Sequence, residues 1–330
     1  MLSTLLGILV MLVKMGLVLA VVFGLAAYMI LLERKLLGRM QVRYGPNRVG
    51  PFGLLQPIAD GLKMLLKEDI VPDGVDRRIF LVAPAIVAGT ALFAFAVVPF
   101  GPDFTVAGVT VRQVIADANV GLLVIFGLSS LAVYGVALGG WTSDNKYSLL
   151  GGLRGAAQMI SYELALALSL VPVVMLARSL SLSDIVAAQA TLPFALLQPV
   201  AFAIFVVAAL AETNRIPFDL PEAENELQAG YHTEYSGMRF ALFFVGEYVN
   251  MILLGSITAV FFLGGWHGPF LPPIVWFLLK VLAVPVFLIW TRASLPRLRY
   301  DQLMAVGWKF LVPLGLVNIL VTGALLAAGM

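Results

Sequence analysis

The sequence predicts an all-α, polytopic integral membrane protein. Of its 330 residues 61% are hydrophobic and only 12% charged, and the mean hydropathy is +0.97. Apolar runs long enough to cross a bilayer also recur along the chain. A water-soluble domain does not carry such a composition, and a spanning helix needs about 20 mostly apolar residues. A β-barrel would read as short alternating segments, which the sequence lacks. No internal repeat stands out, so one membrane domain over 1–330 is expected. The first apolar run opens without a basic stretch and has no small-residue cleavage site, so no cleavable signal peptide is expected.

Eight spanning segments are expected, at about Leu5–Leu32, Ile79–Pro99, Val120–Leu138, Ala156–Ala177, Phe194–Ala211, Phe240–Leu263, Ile274–Trp290 and Met304–Ala327. After the first comes a long connection. Its RYGPNRVGPFG stretch is turn-rich, with Pro46 and Pro51 fixing φ and glycines freeing it. Leu54, Leu55, Ile58, Leu62, Leu65 and Leu66 then recur at helical spacing opposite Asp60, Lys63 and Lys67. That pattern is an amphipathic helix, too short and too charged to span, lying in the interface or under a partner. Between the second and third segments, Phe104–Val111 alternates about Ala107-Gly108 as a small hairpin. Ser181–Ala190 reads as a short amphipathic piece.

Cations sort the connections into two sides. Those after segments 1, 3, 5 and 7 hold sixteen Lys and Arg, those after 2, 4 and 6 hold only Arg112 and Arg178, and Lys14, Lys280 and Lys309 lie inside segments. By the positive-inside rule the odd-numbered connections face the cytoplasm, and both termini face the other side. The three intramembrane lysines either snorkel or pair across helices.

The connection at 211–239, AETNRIPFDLPEAENELQAGYHTEYSGMR, holds six of the nineteen acidic residues: Glu212, Asp219, Glu222, Glu224, Glu226 and Glu234. A charge run is ordinarily a solvated loop. Here Pro217 and Pro221 stiffen the backbone and Phe218, Tyr231 and Tyr235 interleave with the acids. Partly buried carboxylates raise one another's pKa, so such a cluster would hold and pass protons. Two more acids, Glu163 and Glu247, sit within spanning segments near the cytoplasmic side. Charge at a helix centre costs about 2.5 kcal/mol or more, which points to function; the alternative is a carboxylate satisfied by a neighbouring hydroxyl or by a lipid-facing headgroup contact.

Other chemistries are excluded or disfavoured. Zero cysteines rule out disulfides, thiolate iron–sulfur ligation and Cys-zinc sites, and His232 and His267 are the sole histidines. No hydrolase, metalloprotease or phosphate-cradling motif occurs, and the net charge of +2 gives no sign of nucleic acid. Arg34, Arg39 and Arg43, near Tyr44, suit lipid headgroups, a polar ligand or a docked protein.

Four blocks of the sequence, MILLERKLLGRMQVRYGPNRVGPFGLLQPIADGLKMLLKED, GGWTSDNKYSLLGGLRGAAQMISYE, AETNRIPFDLPEAENELQAGYHTEYSGMRFALFFVGEY and WTRASLPRLRYDQLM, closely resemble the family of the membrane-embedded H subunit of respiratory complex I. The formal rivals are homologous subunits of membrane-bound hydrogenases, which the long first connection and the acidic block disfavour. The resemblance implies a subunit of a proton-translocating NADH:quinone oxidoreductase of the bacterial inner membrane, without a complete active site of its own. Its first, sixth and seventh helices and the amphipathic helix would frame a tunnel for quinone, the substrate. Flavin (FMN) and iron–sulfur clusters would reside in partner subunits. The partners implied are hydrophilic-arm quinone-site subunits and small and antiporter-like membrane subunits, with lipid around them.

By the same resemblance, Arg34, Arg43, Asp60, Phe244 and Arg292 match quinone-cavity positions. Glu33, Asp69, Glu163, Glu212, Glu222, Glu224, Glu226, Glu234 and Glu247 match a chain of carboxylates linking quinone reduction to proton pumping, and Arg215 a cation beside it. Some relatives carry a further carboxylate in the third segment. Here that segment offers Ser129, Ser130 and Tyr134, so a relay through it would need hydroxyls or water. A free-standing ion transporter and a structural anchor are the readings from other classes. The first lacks repeated broken helices, and the second leaves Glu163 and Glu247 without a reason.

Overall fold

The computed structural model describes residues 2–106, 109–222 and 224–329. Among them, seven helices are long and apolar enough to cross a membrane. The long helices are α1 (Leu2–Met40), α3 (Arg77–Ala94), α4 (Gly121–Thr142), α5 (Lys146–Ala177), α10 (Gly237–Phe261), α11 (Pro273–Ser294) and a final helix from α12 (Tyr300–Ala305) to α13 (Val312–Ala327). Between them lie the short helices α2 (Gln56–Leu66), α6 (Leu182–Ala188), α7 (Phe194–Leu197), α8 (Pro199–Glu212) and α9 (Glu224–Leu227). The expected hairpin forms from β1 (Phe104–Val106) and β2 (Val109–Val111), paired antiparallel with Thr105 opposite Thr110; its Ala107-Gly108 turn lies outside the described residues.

The fifth expected span is not one helix. It breaks at Gln198 (φ −128°, ψ 60°), leaving α7 of four residues and α8 of fourteen. Pro199 causes this: its ring drives the preceding residue out of the α region, and its missing N–H suits the first helical position. The buried Gln198 side chain is held by the last helix, donating to Thr322 Oγ1 at 3.0 Å and accepting from Asn318 at 3.1 Å. Pro313 does not break the last helix; it follows a π-helical turn, Val306–Leu311, through which α12 continues into α13.

Helix ends also run further than the apolar runs suggest. α1 continues eight residues past Leu32 because no glycine or proline stops it before Gly38, and so carries Glu33 and Arg34 on helix rather than in a loop. α5 begins at Lys146, ten residues before the predicted start, capped by Asn145, whose side chain accepts from Tyr147 N at 2.9 Å. Gly140 and Gly152 let α4 and α5 touch at backbone distance, since a Cβ on Gly140 would lie 2.9 Å from Gly152 Cα. α10 runs through the middle of the protein, with nearly every residue from Tyr248 to Phe261 buried; a helix apolar all round belongs in a core. It packs on α1, α3 and α11, while α5 packs on α4, α8 and α13.

The amphipathic helix forms as predicted, and none of its residues is buried. Leu54, Leu55, Ile58, Leu62, Leu65 and Leu66 are all exposed, an apolar face that this chain alone leaves uncovered. Lys280 has no acidic partner among the described residues. Its ammonium donates to the carbonyls of Leu263, Gly265 and His267 at 2.6, 2.9 and 2.6 Å, satisfying acceptors just beyond α10. Lys14 donates to Arg112 O at 2.7 Å, and Lys309 is exposed.

Candidate functional site

The acidic connection after α8 is a packed structure. Phe218, Leu220, Leu227, Tyr231 and Tyr235 are buried, and so is Arg215. Gln158 of α5, fully buried, pins its first half by donating to Ala211 O at 2.8 Å, Asn214 Oδ1 at 3.0 Å and Phe218 O at 2.7 Å. Its far side is held by Arg297 on Asp219 at 2.8 Å and by Leu298 N on Pro217 O at 3.0 Å. The second half folds back at Gly230 (φ 60°), where any Cβ would run into the Pro221 carbonyl. Glycine is required there for close approach, not for slack.

Arg215 centres one cluster of charge. Its Nη1 donates to Glu33 Oε1 of α1 at 2.7 Å, its Nε lies 2.6 Å from Glu247 Oε1 of α10, and its guanidinium stacks 4.9 Å from the Tyr248 ring. Arg292 of α11 also pairs with Glu33 Oε1, while Tyr248 donates to Glu33 Oε2 at 2.7 Å. One carboxylate of α1 thus receives two guanidinium groups and a phenol, drawn from α10, α11 and the acidic connection. Glu33 and Arg215 are 3% and 4% exposed, and buried charge persists only when paired in this manner.

A second pair of acids lies across α4. Glu212, at the end of α8, is buried and accepts from Ser129 at 3.1 Å, leaving Oε2 without a partner. Glu163 of α5 accepts from the adjacent Ser130 at 2.6 Å. Two cavities connect these groups. In the first, the centre of a water can move through about 40 Å³, room for roughly three waters. Glu212, Glu222, Glu247, Ser129, Asn250 and Tyr231 contribute its polar lining. The second, of about 20 Å³, touches Glu163 and Glu212 and shares Ser129 and Asn250 with the first. Glu212 and Ser129 therefore stand between a chamber that reaches the acidic connection and one that reaches Glu163.

Within the connection, burial sets the protonation. Burial pushes Glu222 well above the usual carboxylate range, and the neighbouring Glu247 and Asp219 push it further. Burial likewise raises Asp219, against the pull of Arg297. Burial pulls against the charge on Arg215, yet Glu247 and Glu33 beside it hold the guanidinium firmly protonated. Burial lowers His232 to about 4, leaving it neutral at pH 7. It also raises the Tyr235 phenol to about 12. Carboxyls that burial favours as neutral thus stand beside fixed cations, with hydroxyls and water-sized space next to them.

The other residues singled out by the sequence fall outside this core. Asp69 pairs with Arg239 at 3.0 Å, Glu226 is exposed and pairs with Arg154 at 2.7 Å, and Glu234 accepts from Asn145 at 2.7 Å. The side chain of Glu224 lies outside the described residues. Arg34 and Asp60 pair at 2.8 Å, bringing α2 to α1. Phe244 packs against Phe240 with centroids 4.6 Å apart and planes tilted by 42°, and Arg43 is exposed, bonded to Gln41 at 2.9 Å. Sequence reasoning missed Tyr248, one residue beyond Glu247, and the anchoring role of Gln158. Among the described residues, no group of three or more His, Asp or Glu is placed to hold a metal ion.

Comparison with known proteins identifies the family. The family described as NADH dehydrogenase matches residues 13–323. An H subunit of NADH-quinone oxidoreductase from Syntrophobacter fumaroxidans, numbered 2 in that organism, is 68% identical over 318 residues, 96% of each chain. The H subunit of Syntrophotalea carbinolica is 64% identical over 322 residues, 98% of each. The H subunit numbered 1 in Geobacter metallireducens is 61% identical over 321 residues, covering 97% of this chain and 98% of that one. The chain belongs to the H-subunit family of NADH-quinone oxidoreductase, a multi-pass membrane component of respiratory complex I.

Proposed function

We propose that this protein helps form the quinone site where the hydrophilic arm meets the membrane, and couples quinone reduction to proton translocation through its buried carboxylates. The observation that carries the reading is the place of Glu212: it borders both cavities, one reaching Glu222 and Glu247 and the other Glu163. Reducing a quinone to a quinol takes up two electrons and two protons and transiently places negative charge beside the site. Coupled carboxyls nearby answer by changing their proton occupancy. Arg215 and Arg292 both pair with Glu33, so the movable protons fall to the less-paired acids, Glu222, Glu212 and Glu163. Ser129 and Ser130 supply the hydroxyls that a relay past α4 requires.

The electrons arrive from flavin and iron–sulfur centres held by partner subunits. This chain contributes a passage and electrostatics. The exposed leucine face of α2 and the Arg34–Asp60 pair support an entrance for an apolar quinone between α2, α1, α10 and α11, with Phe244 and Arg292 deeper in and Arg43 at the docking face. The sixteen-to-two division of cations supports the acidic connection on the cytoplasmic side and both termini on the periplasmic side.

Arg292→Ala in the intact complex tests the site. Quinone reduction should fall at least tenfold while electron transfer from NADH to an artificial acceptor is retained. Equal loss of both activities, or of neither, would remove Arg292 from the quinone site.

A further inference from the structure

His232 faces Glu222 with a nitrogen that has no other partner among the described residues. It stands in a short turn, Gly230–His232, and is 6% exposed. Its ring is boxed by Tyr231, Phe240 and Phe244 at centroid distances of 5.0, 5.3 and 5.9 Å. Nδ1 is buried without a hydrogen-bond partner and lies 3.8 Å from Glu222 Oε1. Glu222 in turn borders the first cavity together with Glu212 and Glu247. A buried imidazole nitrogen aimed at a carboxyl, just beyond bonding distance, closes to a hydrogen bond with a side-chain shift of less than about 1 Å.

We propose that His232 is the acceptor that holds the protonated form of Glu222, making the pair a proton store at the connection end of the cavity. This rests on the proposed coupling role of the carboxylates and adds a positioning residue to it. The Glu222 carboxyl donates its proton to Nδ1, and the neutral ring accepts without becoming charged. Burial in the aromatic box keeps the ring neutral, down to about 4. The charged and titratable groups facing Glu222 are Glu247 and Asp219, which favour its protonated form, and Arg215 and Arg292, which oppose it; Tyr231 lines the same cavity. Losing the acceptor removes one hydrogen bond from the protonated state. Glu222 then releases its proton at a pH lower by about one unit.

Three variants in the intact complex, reconstituted in liposomes, test this through the pH profile of coupled quinone reduction. Asn at 232 places a carbonyl near the Nδ1 position, whereas Gln places its amide near the far side of the ring. His232→Gln and His232→Leu should both shift the alkaline limb downward by about one pH unit, and His232→Asn should restore it. Infrared difference spectra should show the protonated-carboxyl band of Glu222, assigned by its loss in Glu222→Gln, moved in the Gln and Leu variants. If Leu prevents assembly, the Asn and Gln pair decides. Coincident profiles for Asn and Gln, with an unmoved band, overturn the inference. A Glu222→Gln complex with unchanged coupled activity would instead overturn the underlying coupling role of that carboxyl.

Discussion

Arg215 reaches Glu33 with one nitrogen and Glu247 with another, at 2.7 and 2.6 Å. Arg215→Met keeps the length of the side chain and removes the charge. Glu33 retains Arg292 and Tyr248, but Glu247 loses the cation paired with it. Breaking a buried pair from one side costs about 3–5 kcal/mol, since the remaining charge stays out of water. At about 1.4 kcal/mol per factor of ten, the open form of the acidic connection should rise about a hundredfold or more. Limited proteolysis of the intact complex, with opening fast relative to cleavage, reads that population directly. The double variant Arg215→Met with Glu247→Gln should recover about 2 kcal/mol, because a neutral amide no longer needs the cation. Arg215→Lys should fall between, as one ammonium cannot match a fork that spans two carboxylates. Strictly additive effects, or a single variant as resistant as the parent, would refute the assignment of Arg215 as the shared partner.

Two further outcomes follow from the same geometry. Ser129→Ala with Ser130→Ala removes both hydroxyls that touch Glu212 and Glu163, at about 0.5–1.5 kcal/mol each for protonated acceptors. Coupled quinone reduction should fall about tenfold with assembly intact, and Thr at both positions should preserve it; activity equal to the parent in the alanine variant would exclude the hydroxyls from the relay. The second concerns pH. His232 is neutral when folded down to about 4, while an exposed histidine titrates near about 6.5. The unfolded connection therefore binds more protons between those values, and stability falls as pH drops through that window. From pH 7 to 5 the loss is about 2 kcal/mol, visible as faster hydrogen exchange across residues 216–239 and abolished in His232→Asn.

Much of this was legible in the sequence. Apolar runs placed the long helices, the leucine spacing placed α2, and acids lodged in apolar segments singled out Glu163 and Glu247. Ser129 and Ser130 stood out as hydroxyls where an acid was expected, and they are the groups that touch Glu212 and Glu163. Helix ends were less legible, because hydropathy marks where apolar residues stop and not where backbone hydrogen bonding stops. That is why Glu33 reads as part of a charged connection and proves to lie within α1. The break at Gln198 was written in Pro199, yet the apolar residues on either side of it, Phe194 to Ala211, read as one continuous span. The partnership of Glu33, Arg215 and Arg292 joins residues 182 and 259 positions apart. No local pattern encodes such a pairing, and only the packing of α1, α10 and α11 reveals it. The acids of the connection looked alike in sequence; burial separates Glu212 from the surface pair Glu226–Arg154.

The central claim is that Glu212 passes protons between the chamber beneath the acidic connection and Glu163. Glu212→Gln keeps the volume and the bond from Ser129 but cannot take up or release a proton. In liposomes containing the intact complex, the account predicts that quinone reduction and proton translocation fall together while NADH oxidation by an artificial acceptor continues. Proton translocation and quinone reduction at the parent's rate in the Gln variant would contradict it.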